Sequence, residues 1–140
     1  MNLVTVIIPI YNMAGFLPEA VQSVIDNNFA HTEIIIVDDG STDHSLKVAK
    51  RIVRKTQTKS IRVETKRIAH RGKSFAVNEA LKMATGDFIT FLDADDKLPG
   101  SSLDLRVRKL QTAEADIALG EFEVFSNEKV TGRRKICANN

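Results

Sequence analysis

The chain has 140 residues, 43% of them apolar, which is enough to fill one hydrophobic core, and one domain is the default at this length. Its 20 basic and 18 acidic residues nearly cancel, and a formal charge of +2 excludes the dense cationic signature of a nucleic-acid-binding protein. The single cysteine, Cys137, excludes an internal disulfide and a thiolate metal cage, and favours a reducing, cytoplasmic setting.

The opening MNLVTVIIPIYN lacks a cationic leader and a small-residue cleavage site, so it reads as a buried strand and not as a signal. No segment approaches the ~18 to 20 apolar residues of a membrane span, and the domain reads as soluble. Val4 to Ile10 is β-branched and apolar on both faces, the pattern of a central parallel strand, and runs into Tyr11 and Asn12. A helix follows, with Pro18 near its start and Leu17, Val21, Val24 and Ile25 on one side. Glu33 to Val37 repeats the buried-strand pattern and leads into Asp38, Asp39, Gly40, Ser41, Thr42 and Asp43, which combine a turn with N-cap chemistry.

The second helix runs to about Lys55. Its cations Lys47, Lys50, Arg51, Arg54 and Lys55, continued by Lys59, alternate with Leu46, Val48, Ala49, Ile52 and Val53, and read as a solvated helix face. A short strand is expected over Ile61 to Glu64 and a third helix over Lys73 to Ala84, ended by Gly86. Asp87 to Leu92 is a strand that stops at Asp93, Ala94, Asp95 and Asp96. Leu103, Val107 and Leu110 mark a fourth helix; Ile117 to Leu119 and Glu121 to Phe125 read as strands. The organisation expected is one domain over residues 1–126 and a basic, disordered tail over 127–140, carrying Lys129, Arg133, Arg134 and Lys135.

Strands alternating with helices specify an open, mostly parallel α/β sheet with helices on both faces, since crossovers are right-handed. Ligands of such sheets bind beyond the carboxyl ends of the strands. Pro9 to Asn12, Asp38 to Asp43 and Asp93 to Asp96 each follow a strand directly, so three segments would deliver polar groups to one crevice.

Asp93, Asp95 and Asp96 crowd three carboxylates into four residues, an unfavourable arrangement unless solvent or a cation neutralises them. Their oxygens suit Mg²⁺ or Mn²⁺, which completes its shell with water and substrate phosphates. The alternative is a solvated loop in which Asp96 or Ser101 caps the next helix. Ser41 to Asp43 read as a cap; Asp38 and Asp39 serve no evident packing need, and Asp39 suits a base or ribose. Tyr11 and Asn12 suit a nucleobase, or Tyr11 is a polar-tipped edge of the core. His70, Arg71, Gly72 and Lys73 open the third helix, where outward-pointing amides resemble an anion site, the alternative being a solvated basic loop. His31, His44 and His70 read as surface histidines, and Cys137 as an incidental thiol.

VTVIIPIYN at 4–12, EIIIVDDGSTD at 33–43, HRGKSFAVNEAL at 70–81 and GDFITFLDADDKLP at 86–99 together resemble the inverting glycosyltransferases of family 2, with the GT-A fold, Rossmann-like in its nucleotide binding. The resemblance implies a nucleotide-diphosphate sugar donor, usually a UDP-sugar, bound with Mg²⁺ or Mn²⁺. By position Pro9, Tyr11 and Asn12 look like first-strand nucleotide contacts, and Asp39 like the carboxylate on the pyrimidine. Asp93 is similar to the residue near ribose or donor sugar, Asp95 and Asp96 to metal ligands, and Arg71 and Lys73 to the loop that approaches the donor. In the family the catalytic base lies in a later acidic motif. None of Glu114, Asp116, Glu121, Glu123 or Glu128 is assigned that role, so the chain reads as the donor-binding portion of a larger enzyme.

Rival readings are a non-catalytic nucleotide-binding or assembly module, and a nucleotidyltransferase. The latter normally has a glycine-rich basic loop after its first strand, where this chain has IPIYNMAGF. No nucleic-acid partner is expected. The acceptor is open among glycan, lipid-linked and protein hydroxyls. An incomplete sheet leaves apolar surface that a second copy would cover, and the terminal cations suggest contact with the inner face of a membrane.

Overall fold

The computed structural model describes residues 2–126 and 129–134. Two units divide the chain, Met1–Leu103 and Asp104–Asn140. The first holds β1 (Val4–Ile10), α1 (Leu17–Asp26), β2 (Thr32–Asp39), α2 (Ser45–Thr56), β3 (Ile61–Ile68), α3 (Lys73–Leu81) and β4 (Phe88–Phe91). A fourth helix, α4 (Ser102–Ala113), begins in the first unit and continues into the second, which also has β5 (Phe122–Ser126) and β6 (Lys129–Arg134).

The sheet of the first unit is entirely parallel, in the order β3-β2-β1-β4. Ile7, Ile35 and Val37 pack against Ala76 and Ala80 of α3. Because side chains alternate along a strand, Val6, Ile8, Ile34 and Ile36 project to the opposite face, where α2 lies against β3 and packs with α1. Both faces of β1 and β2 are therefore covered, which is why these strands read as unbroken apolar runs. Pro9 is tolerated in β1 because odd residues there turn their backbone polar groups toward β4. That ladder ends at Ile7, whose carbonyl takes the amide of Leu92 at 3.0 Å.

The strand ends remote from the ligand crevice are tied by a buried carboxylate. Glu33, 1% exposed, accepts hydrogen bonds from Thr5 Oγ1 (2.6 Å), Thr85 N (2.9 Å), Thr85 Oγ1 (2.9 Å) and Arg62 Nη1 (3.2 Å). Burial alone would raise its pKa. The hydrogen bonds of Thr5 and Thr85 and the Arg62 charge more than offset it, so the net shift is below the ordinary 4.5. Gly86 lets the α3–β4 connection lie on β1, since a Cβ there would sit 2.6 Å from Thr5 Oγ1 and 2.7 Å from Thr5 N. Asn27, just past α1, accepts Leu103 N (3.0 Å) and Ser102 Oγ (3.2 Å) and so holds the start of α4.

The observed elements depart from expectation in four places. α3 ends at Leu81, three residues short of Ala84, with Lys82 and not Gly86 at its end. β3 continues four residues past Glu64 to Ile68, because an edge strand can carry Lys66 and Arg67 on a polar flank. Ile117 to Leu119 is irregular, with Ile117 76% and Leu119 74% exposed, for apolar composition without a pairing partner does not make a strand. Lys129–Arg134, within the stretch expected as a disordered tail, is a strand paired antiparallel with Phe122–Ser126, its order coming from that ladder and not from its charged composition. Residues 127, 128 and 135–140, among them Glu128, Lys135 and Cys137, lie outside the described residues. No described helix is long and apolar enough to cross a membrane.

Candidate functional site

Four loops leave the carboxyl ends of the parallel strands, and side chains join them in sequence. Asn12, in the left-handed region at φ 55°, donates its amide to Ser41 Oγ (3.0 Å). Its Oδ1 accepts Thr42 N (2.9 Å) and Asp43 N (3.2 Å). Met13 N reaches Ser45 Oγ at 2.7 Å and Ala14 N reaches Asp43 Oδ2 at 3.3 Å. The β1 and β2 loops are thus stitched together backbone to side chain. Asp43 also accepts Ser45 N (2.8 Å), the first amide of α2, but the N-cap position is His44, which makes no side-chain cap bond, and Ser41 and Thr42, expected to cap, bond Asn12 instead. Hydrogen bonding by Ser45 holds the Asp43 carboxyl below its ordinary range.

The consecutive carboxylates at the end of β2 are both buried, and the expectation that they serve no packing need is overturned. Asp38 Oδ1 accepts Ser41 N (3.2 Å), and its Oδ2 faces Arg67 Nε at 3.5 Å. Asp39 Oδ1 accepts Arg71 N (2.8 Å) and its Oδ2 accepts Gly72 N (2.9 Å). Two amides just ahead of α3, those of Arg71 and Gly72, are thus satisfied within the chain by a buried anion one loop away. His70 Nδ1 lies 2.9 Å from Asp39 Oδ2 and 3.0 Å from the Asp39 carbonyl. Gly40, at φ 71°, permits this approach, since a Cβ there would meet His70 N at 2.8 Å.

His70, read from the sequence as a surface residue, is exposed as expected, and it also stands at the strand-tip surface beside Tyr11. Its ring stacks on Tyr11 with centroids 4.2 Å apart and planes at 26°, and Tyr11 remains 42% exposed. Only β3's full length reveals the histidine's position: it stands two residues beyond Ile68, as Tyr11 stands one beyond Ile10. Arg71 lies over the Phe75 ring at 3.9 Å, a cation–π contact. Lys73 Nζ meets Asp93 Oδ1 at 2.5 Å and joins the β3 loop to the β4 loop.

Pro9 stays half-buried within β1, below this surface. Asp95 and Asp96 are exposed in the β4 loop, in a turn closed by Asp96 N on the Asp93 carbonyl at 3.0 Å. Partial desolvation, then the charges of Asp95 and Asp93, raise the Asp96 carboxyl above its ordinary 3.8, with Lys73 opposing. Among the described residues no three His, Cys, Asp or Glu side chains gather to hold a metal ion. Two exposed carboxylates beside a third do fit a hard cation that takes its other ligands from phosphates and water.

A parallel sheet with conjoined loops at its carboxyl ends defines an α/β nucleotide-binding fold. The model of glycosyl transferase family 2 matches residues 5–138, and the chain belongs to that family. An uncharacterized glycosyltransferase of Haemophilus influenzae is 33% identical over 97% of this chain and 55% of its own length. The UDP-Glc:alpha-D-GlcNAc-diphosphoundecaprenol beta-1,3-glucosyltransferase WfgD of Escherichia coli is 29% identical over 94% of this chain and 50% of its own. Among solved structures, the mannosyltransferase PcManGT of Pyrobaculum calidifontis, in complex with GDP-Man and Mn²⁺, superposes with a TM-score of 0.71 and 30% identity. It aligns over 84% of this chain and 34% of its own. TarS of S. aureus in complex with UDP-GlcNAc gives 0.70 at 26% identity, over 81% of this chain and 32% of its own. The fold is GT-A. The chain spans from 18% to 55% of the length of the first three curated relatives.

Proposed function

We propose that this chain forms the nucleotide-sugar-binding part of a glycosyltransferase that moves a sugar from a UDP-sugar to an acceptor hydroxyl with inversion. The observation that carries the reading is the joining of the four strand-tip loops through Asn12, Asp39, the Tyr11–His70 stack and the Lys73–Asp93 pair. Solved relatives that hold UDP-GlcNAc or GDP-Man on the same fold support it.

The exposed ring of Tyr11, backed by His70, offers the base a flat apolar surface. The second lone pairs of the Asp39 oxygens accept from the pyrimidine edge. Asn12 and Pro9 act by shaping the β1 loop beneath the nucleotide. Asp93 accepts from ribose or donor sugar once Lys73 turns toward phosphate, and Arg71 supplies a second cation there. Asp95 and Asp96 hold the Mg²⁺ or Mn²⁺, which when bound supplies electrostatic stabilisation of the departing diphosphate. A carboxylate base completes a single displacement by taking the acceptor's proton. Glu114, Asp116, Glu121 and Glu123 are exposed and are not assigned that task.

Calorimetric titration with UDP, with and without Mn²⁺, followed by a donor-hydrolysis assay, tests the reading. The expected result is metal-dependent UDP binding with little or no turnover. Preference for a nucleoside triphosphate would favour nucleotidyl transfer, and metal-independent indifference to nucleotides would leave only an assembly module.

A further inference from the structure

We propose that the cationic face of α2 docks the protein on a bilayer surface rich in anionic phospholipid, a role separate from the donor site. Lys47, Lys50, Arg51, Arg54 and Lys55 recur at i, i+3, i+4, i+7 and i+8, so at about 100° per residue they form one stripe along the helix. All five are exposed, and α2, SLKVAKRIVRKT, contains no acidic residue.

The concentration of unpaired cations on one helix face carries the argument, since Lys59, Arg71, Arg106 and Lys109, which also meet no carboxylate among the described residues, lie on other segments. Arg62, Lys66, Arg67, Lys73, Lys82, Arg108 and Arg133 each meet a carboxylate within 4 Å. Among the described residues none of the five α2 cations does. Lys47 and Arg51, Lys50 and Arg54, and Arg51 and Lys55 are like-charged i,i+4 neighbours, which repel. Among the described residues no carboxylate pairs with these cations to relieve that repulsion, whereas a plane of phosphate headgroups would.

Two open grooves flank the stripe. Lys47, Lys50 and Arg54 rim one of them, with Leu46 and Val53 also in its wall. Arg51 and Lys55 rim the other, above Val21, Ile25 and Ile52. Cations around apolar floors suit an interface in which charged heads meet phosphate while their stems cover hydrocarbon. α2 has no aromatic residue on which a base could stack, which argues against nucleic acid.

The test is co-sedimentation of the chain with vesicles of phosphatidylcholine alone and of an equal mixture with phosphatidylglycerol, at low and high salt. Binding is expected only to the mixed vesicles and only at low salt. The triple variant K50Q/R51Q/R54Q loses roughly fivefold in partitioning per cation, on the order of 100-fold together, while K82Q keeps full binding. Where the triple variant unfolds, K47Q/K55Q reads the same face with a loss of about 25-fold. Binding to phosphatidylcholine alone, an undiminished folded variant, an equal loss in K82Q, or retention on duplex DNA without vesicle binding would each overturn the assignment. UDP titration of the same folded variants stays unchanged, so failure here is distinguishable from failure of the donor-site reading.

Discussion

Asp39→Asn keeps the size and shape of the side chain but removes its charge and sets an NH₂ against one of two backbone N–H groups. The carboxylate is 4% exposed and accepts Arg71 N at 2.8 Å and Gly72 N at 2.9 Å, with His70 Nδ1 beside it. Hydrogen bonds to a charged acceptor contribute about 1.5 to 3 kcal/mol each, and neutral ones about 1 kcal/mol. Asparagine retains one neutral bond and turns the other into a donor–donor contact, so a loss of about 3 kcal/mol follows, or about 10 °C in Tm for a chain of this size. Urea denaturation followed by circular dichroism measures the first quantity and a thermal scan the second. The Tyr11–His70 stack loses its support as well, so UDP affinity falls with stability. A variant within about 0.5 kcal/mol of the parent would refute the claim that this carboxylate pins the β3–α3 loop.

Three other substitutions probe different parts of the molecule. Glu33→Gln removes a carboxylate whose folded pKa lies below 4.5, so the parent's added stability is present above that value and disappears as pH falls through the folded one. The variant is expected to be about 2 kcal/mol less stable at pH 7 and to show a shallower acid decline in denaturation curves across that window. Asp96 has a raised pKa, so its ionised form opposes folding above that value; Asp96→Asn should leave Tm at pH 7 unchanged or higher while weakening Mn²⁺-dependent UDP binding in calorimetry. Gly86→Ala forces a Cβ within 2.7 Å of Thr5 N and 2.9 Å of Leu3 O, neither of which can yield cheaply, and a loss of about 2 to 3 kcal/mol in urea is expected.

β1 and β2 were legible from the sequence because both faces are buried, so pairing context adds nothing that VTVIIPI and EIIIV do not already state. β3 was half legible: Val63 faces inward, but Glu64, Lys66 and Arg67 follow edge exposure, which a hydrophobic pattern does not encode. That shortfall hid His70, whose meaning depends on standing at a strand tip. The strand-tip motifs located Tyr11, Asn12, Asp39 and Asp93 in advance. They did not reveal that Asn12 and Asp39 work largely on the backbone of neighbouring loops, since those bonds span 30 and 32 residues of sequence. Ile117 to Leu119 misled for the converse reason, an apolar run with no partner strand.

The mutual fastening of the strand-tip loops bears on how such a protein can diversify. Changes at Asn12, Asp39 or Ser41 disturb two loops at once, so their effects combine non-additively and single steps are penalised. Arg71 and Asp95 carry none of those cross-braces through their side chains. Changes to the strand-tip surface therefore cost least at these outer positions, where the frame of cross-braces stays intact.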